Sequence, residues 1–179
     1  MKHVVLTGFM AVGKTAVGRR LAKRLGYDFV DTDRLIEQNA SMSVAEIFDK
    51  LGEGEFRRRE RELVASLSPT APTVFATGGG TFVDEENQPR LKAIGVVVCL
   101  VTSLETVLHR VGRNESRPLA SGDARARLAE LYERRKPAYG RADVLVETDG
   151  LSVEQAVSRV LAMIAPYIKD KVPGAVTPS

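Results

Sequence analysis

The sequence predicts an α/β fold of three layers, with helices on both faces of a five-stranded parallel sheet. Three observations lead there. Five short, nearly unbroken apolar runs rich in β-branched residues recur along the 179 residues. The segments between them carry helical periodicity, and several open on helix-capping sequences. Strands covered on both faces read as continuous apolar runs, and parallel neighbours need the crossovers that helices supply.

In chain order, Val4 to Leu6 is the first strand. A Gly-rich turn from Gly8 leads into a helix from about Lys14, stopped after Leu25 by Gly26, because glycine accepts the left-handed conformation common just past a helix end. Phe29-Val30 is the second strand, followed by a helix beginning near Arg34 with Asp33 as candidate N-cap. Ser43-Val-Ala-Glu46 fits the capping box, and Val44, Ile47, Phe48 and Leu51 repeat at helical spacing as an inward face. Thr73 to Ala76 and Val96 to Val101 are the third and fourth strands, and Thr102-Ser-Leu-Glu105 is a second capping box. Arg134-Arg135-Lys136 closes a helix expected to end before Pro137, and Val144 to Val146 is the fifth strand. Ser152-Val-Glu-Gln155 is the third box, after which Val153, Ala156, Val157, Val160, Leu161, Ile164 and Ile168 lay one face on the sheet. The tail from Lys169 to Ser179 carries no periodicity and is expected to be disordered, leaving residues 1–168 as one domain.

The bulk numbers exclude several classes. The 26 basic and 23 acidic side chains give a net charge of +3, a mixed surface rather than a polycation built to coat nucleic acid. No apolar stretch approaches the ~20 residues that span a bilayer, and the expected compartment is the cytoplasm. The single cysteine, Cys99, sits among valines and leucines and reads as a core residue. With two histidines and one cysteine a structural zinc site lacks ligands, so the expected metal is Mg²⁺ arriving with a nucleotide. No spare apolar face remains in the pattern, and a monomer is expected.

Gly8-Phe-Met-Ala-Val-Gly13-Lys14-Thr15 fits G-x-x-x-x-G-K-[ST] and lies between a strand and a helix, the context that the motif requires. Its glycines let successive backbone N–H groups face a polyphosphate, and the helix N-terminus adds partial positive charge. Lys14 is placed to bridge the β- and γ-phosphates, and Thr15 to offer its hydroxyl to Mg²⁺. Asp31-Thr32-Asp33 follows the second strand at its carboxyl end, where open α/β sheets bind ligands, and residues two apart on an extended segment point the same way. One acid is expected to hold Mg²⁺ through water, and the other to accept a hydrogen bond from the hydroxyl being phosphorylated.

Glu55-Phe-Arg57-Arg58-Arg59-Glu60-Arg61-Glu62 reads mostly as a solvated helix face with pairs three and four apart. Within it, Glu60 stands one turn from Arg57 and could aim that guanidinium at a carboxylate. Gly78-Gly79-Gly80, directly after the third strand, is either a flexible turn or a place where bare backbone meets a ligand. Residues from about 112 to 122, which include Arg117, are polar, Gly-flanked and irregular, which suits a lid over nucleotide.

Taken together and in this order, these segments resemble shikimate kinase, the small P-loop kinase of aromatic amino-acid biosynthesis, from about Lys2 to Ile168. The resemblance implies a P-loop NTPase fold with a mobile lid and a substrate-binding helical segment at about 33–62. It implies that ATP is held by Ala11, Val12, Gly13, Lys14, Thr15, Ala16, Arg110 and Arg117, and Mg²⁺ by Thr15 and, through water, Asp31. It implies that shikimate meets Asp33, Arg57, Gly78, Gly79, Gly80 and Arg135, the Arg-x-Pro-x-Tyr pattern of Arg135, Pro137 and Tyr139 selecting Arg135 over Arg134. Lys14, Asp33 and Arg117 are the implied catalytic groups. The chain departs from the family at Ala11, often glycine, at Val12, often small or polar, and at Ala120, often leucine. Rival readings are a gluconate kinase-like enzyme, a non-catalytic nucleotide-binding module, and a GTPase switch, for which Asp49-Lys-Leu-Gly52 imitates one element while no N-K-x-D guanine reader exists.

Overall fold

The computed structural model describes residues 3–112 and 122–168. Its strands β1 (His3–Thr7), β2 (Asp28–Asp31), β3 (Thr73–Ala76), β4 (Gly95–Val101) and β5 (Val144–Glu147) form one sheet in the order β2-β3-β1-β4-β5. Every pairing is parallel, with Val4 opposite Val74 on one side and Val96 on the other. The sequence runs locate β1, β3 and β4 most directly, because a strand buried on both faces has no polar positions to blur its limits, whereas the edge strand β2 is at most half-buried and is bounded by Asp28 and Asp31. The edge strand β5 differs: Val144 and Val146 are buried while Leu145 and Glu147 are exposed.

Among the described residues, seven helices connect and cover the sheet: α1 (Lys14–Leu25), α2 (Thr32–Ala40), α3 (Val44–Ser66), α4 (Asn87–Ile94), α5 (Leu104–Gly112), α6 (Gly122–Tyr139) and α7 (Val153–Ile164). α1 packs on α7, and α3 on α4, which supplies the helical layers of the α/β/α arrangement. The main core joins β1, β3 and β4 to Leu21 of α1, Leu91 of α4 and Val157, Val160 and Ile164 of α7. A separate small cluster of Ile36, Ile47 and Phe56 ties α2 to α3. Among the described residues no helix is long and apolar enough to cross a membrane.

Several local expectations are corrected. α2 begins at Thr32, not near Arg34, and its N-cap is Asp31, whose side chain accepts the Arg34 N–H at 3.5 Å; Asp33 is in the first turn. The expected second capping box, Thr102 to Glu105, does not form, and the Ser103 N–H donates to Asp149. Ser103 accepts the Thr106 N–H, because the Thr102 hydroxyl is taken by Asp149. α6 runs through Pro137 to Tyr139 rather than stopping before it. The carbonyl four residues back belongs to the exposed Glu133, where water can replace the lost N–H. In α3, Ile47 is buried, but Phe48 and Leu51 are exposed, because the helix kinks at Gly52, with φ 83°. The kink also removes the GTPase imitation, since Asp49 is helical and Gly52 is the bend itself. α4 carries no sequence signal, as its N-cap Glu86 makes no side-chain cap. The expected tail at 169–179 lies outside the described residues.

Candidate active site

The Gly8–Thr15 loop joins the central strand β1 to α1. Gly8 has φ 132°, and a Cβ there would lie 2.4 Å from the Leu100 carbonyl oxygen, so the loop passes directly over β4. Lys14 is half-buried and donates from Nζ to the carbonyls of Gly8 at 2.9 Å and Phe9 at 2.8 Å. Burial pushes its pKa down to about 8, with Asp33 and Asp31 among the groups acting in the opposite direction. Arg110, from the last turn of α5, donates Nη1 to the Ala11 carbonyl at 3.0 Å. Ala11 holds φ 60°, a left-handed conformation unusual for a residue with a Cβ. The Val12 side chain turns into the core.

Below this loop is a space of about 520 Å³ bounded by Gly13, Lys14, Thr15, Ala16, Asp31 and Asp33. Thr15 donates its hydroxyl to Asp31 Oδ2 at 2.9 Å. A hydroxyl oxygen and a carboxylate oxygen already side by side fit the hard-oxygen preference of Mg²⁺. Asp33 Oδ1 is buried without a hydrogen-bond partner among the described residues. Burial, then the charges of Glu60 and Asp31, raise the Asp33 pKa to about 6.

On the other side of Asp33 a cleft of about 660 Å³ opens, lined by Arg57, Glu60, Gly78, Gly79, Gly80 and Arg135. Met10, Asp33 and Gly79 border both spaces. Arg57 makes an ion pair with the buried Glu60 and a second, at 3.0 Å, with Glu53. Glu60 also accepts the Thr81 hydroxyl at 2.6 Å, so the charge run does hold one aimed guanidinium among its solvated pairs. Arg135 lies over the Phe9 ring, 5.9 Å from its centroid.

None of the three glycines has a left-handed φ, and two of them, Gly78 and Gly80, are closely approached by other groups. A Cβ on Gly78 would lie 2.6 Å from Asp33 Oδ1, and one on Gly80 2.3 Å from Arg57 Nη1. A Cβ on Gly79 would meet nothing nearer than 3.4 Å and would project into the space that the two clefts share. Glu53, Phe48 and Phe56 also line the second cleft, a place that the sequence reading did not give them. Phe48 and Phe56 fall on an amphipathic pattern that reads as core, and only the exposure of Phe48 beside the Gly52 kink distinguishes the two. Arg117 and the expected lid, apart from its bounding Gly112 and Gly122, lie outside the described residues.

With this geometry in view, the model of the family described as shikimate kinase matches residues 10–165. The chain belongs to the shikimate kinase family. Family members with that name include one from Ruegeria pomeroyi, 48% identical over 92% of this chain and 85% of its own. Another, from Thermodesulfovibrio yellowstonii, is 41% identical over 90% of this chain and 94% of its own. The structure of the Acinetobacter baumannii shikimate kinase in complex with shikimate superposes with TM-score 0.85 at 35% identity, covering 93% of this chain and 94% of that one.

Proposed function

We propose that this chain transfers the γ-phosphoryl of ATP to the 3-hydroxyl of shikimate, giving shikimate 3-phosphate and ADP, with Mg²⁺ as the metal. The observation that supports this most is the continuity of the two spaces across Asp33. A phosphate held by the loop and a hydroxyl lying in the Arg57–Arg135 cleft would meet at that carboxylate. Two guanidiniums, a glycine cradle and one raised-pKa acid match a small polyol that carries a carboxylate. Membership of the shikimate kinase family favours shikimate over a sugar acid.

In this reading residues 1–168 act as one kinase domain, with a lid at about 112–122 and a substrate-binding segment at about 33–62. Ala11 to Ala16 wrap the phosphates, and Arg110 flanks the adenine from its position against the loop. Lys14 leaves the carbonyls of Gly8 and Phe9 for the β- and γ-phosphates, exchanging two neutral acceptors for charged ones. Thr15 and, through water, Asp31 hold Mg²⁺, which supplies positive charge to the phosphate oxygens when bound. Arg57 and Arg135 hold the shikimate carboxylate, with Glu60 fixing the Arg57 fork.

Asp33 accepts the hydrogen bond of the attacking hydroxyl, orients it in line with the γ-phosphorus and takes its proton as the bond forms. Transfer is direct, with no covalent enzyme intermediate. Lys14 and Arg117 stabilise the charge that develops on the equatorial oxygens.

The test is a coupled ADP-release assay on purified protein with Mg-ATP, comparing shikimate, gluconate and no acceptor. Release that depends on shikimate and on Mg²⁺ is expected. Release with gluconate alone would overturn the acceptor assignment, and ATP binding without release would favour a non-catalytic module.

A further inference from the structure

Tyr139 is the last residue of α6, one turn beyond Arg135. Its ring is buried, and its hydroxyl donates to the Gly79 carbonyl at 2.5 Å, 60 residues away in sequence. Burial holds the phenol well above its usual pKa, so it remains a proton donor throughout the working range, and the Arg135 guanidinium lies close enough to oppose that shift.

The peptide bond explains why this contact matters. A trans peptide is planar, with its carbonyl and N–H pointing in opposite directions. The Gly79 carbonyl and the Gly80 N–H belong to one such peptide, and the chain has no cis bonds among the described residues. Fixing the carbonyl against Tyr139 therefore fixes the direction of the Gly80 N–H. Flanked by two glycines of ordinary φ, this peptide has no Cβ on either side to hold it, a freedom it shares with the 78–79 peptide. Among the described residues, the Gly79 and Gly80 N–H groups have no acceptor within the protein, although both residues line the acceptor cleft.

We propose that Tyr139 is a positioning residue for the phosphoryl acceptor: its hydroxyl sets the orientation of the 79–80 peptide and keeps that peptide in register with Arg135. The inference rests on the reading of this cleft as the shikimate site. One helix end thereby carries both a guanidinium for the substrate carboxylate and a hydroxyl that aims the backbone beneath the ring. Substrate affinity depends on the pair as a unit.

Tyr139→Phe tests this, because it keeps the buried ring and removes only the hydroxyl. Tyr132→Phe is the control: it also removes a hydroxyl from α6, one that donates to the Thr102 carbonyl at 2.8 Å, away from the acceptor cleft. In the ADP-release assay Tyr139→Phe is expected to raise the KM for shikimate on the order of tenfold, the scale of one lost buried hydrogen bond. Its kcat and its Kd for ATP should stay within about twofold of wild type, as neither depends on that peptide. Tyr132→Phe should leave the KM for shikimate unchanged. An unchanged KM in Tyr139→Phe, or an equal rise in both variants, overturns the inference while wild type still turns over shikimate. A wild type inactive on shikimate overturns the functional reading and this inference with it. Should Tyr139→Phe fold poorly, the wild-type amide spectrum decides: shikimate alone is expected to shift the Gly80 resonance, and an unmoved Gly80 would refute the proposal.

Discussion

Asp33 and Gly78 are packed so closely that a methyl group on Gly78 would stand 2.6 Å from Asp33 Oδ1 and 2.9 Å from Glu60 Oε1. The glycine therefore allows an unpaired carboxylate oxygen to be buried beside a second buried acid. Gly78→Ala should displace Asp33 and cost about 1–3 kcal/mol of stability, the usual range for overpacking. Turnover should fall with it. Gly79→Ala, which meets no atom closer than 3.4 Å, should leave the thermal midpoint nearly unchanged while raising the KM for the acceptor. Melting curves beside steady-state kinetics separate the two, and a large loss of stability in Gly79→Ala would contradict the steric account.

Asp33→Asn should keep ATP affinity and lose roughly 10²–10⁴-fold in kcat, the span typical of a positioned general base. Since the free carboxyl titrates at about 6, wild-type kcat/KM should fall on the acid side with a midpoint near pH 6. The stability sign follows from the same shift. The folded pKa lies above the unfolded value of 3.8, so the stability contributed by the proton on Asp33 is fully present below about pH 4 and lost as pH rises through 6. Chemical denaturation across pH 4 to 7 should show this decline in wild type and its removal in Asp33→Asn.

Lys14 titrates at about 8, so the ammonium proposed to receive the phosphates is lost within an accessible range. ATP affinity measured by calorimetry should be level below about pH 7.5 and weaken above 8, with proton uptake on binding at pH 8.5. Binding that is independent of pH between 7 and 9.5 would refute the buried-lysine account.

Arg57→Lys keeps the charge and loses the fork. The KM for shikimate should rise roughly tenfold to a hundredfold, consistent with about 1.5–3 kcal/mol for a charged hydrogen bond, with kcat changed far less. A matching fall in kcat would mean that Arg57 acts on the transition state instead.

Ala11 carries a left-handed φ in a loop position where a glycine has no Cβ penalty. Ala11→Gly relieves roughly 1–2 kcal/mol of backbone strain and gives back roughly 0.5–1 kcal/mol of unfolded-chain entropy. A net gain of up to about 1.5 kcal/mol is expected, read as a raised thermal midpoint, with ATP affinity unchanged or better.

The strands, the helix ends at Gly26, Ser43 and Ser152, and the phosphate loop were legible because each rests on local physics. Burial on both faces writes a strand as an apolar run, and a cap or a glycine acts within four residues of its effect. The Asp31-Thr-Asp33 segment was legible as a pair of acids but not in its geometry. Whether it continues the strand or starts a helix depends on what Asp31 can cap, and the structure starts the helix there. Arg57 could be singled out from its neighbours only through the family resemblance, since Arg57, Arg58 and Arg59 are equivalent as letters. The buried side of the helix decides which of them meets Glu60.

By itself, then, the sequence determined the fold class, the strand positions and the nucleotide loop, because those follow from periodicity, capping and short-range backbone conformation. Long-range packing set how far Asp33 is desolvated, how closely other groups approach Gly78 and Gly80, and that Tyr139 reaches Gly79. These depend on segments 23 to 60 residues apart that the parallel crossovers bring together at the carboxyl end of the sheet. No local pattern encodes a contact between residues that meet only after the sheet has closed over its core.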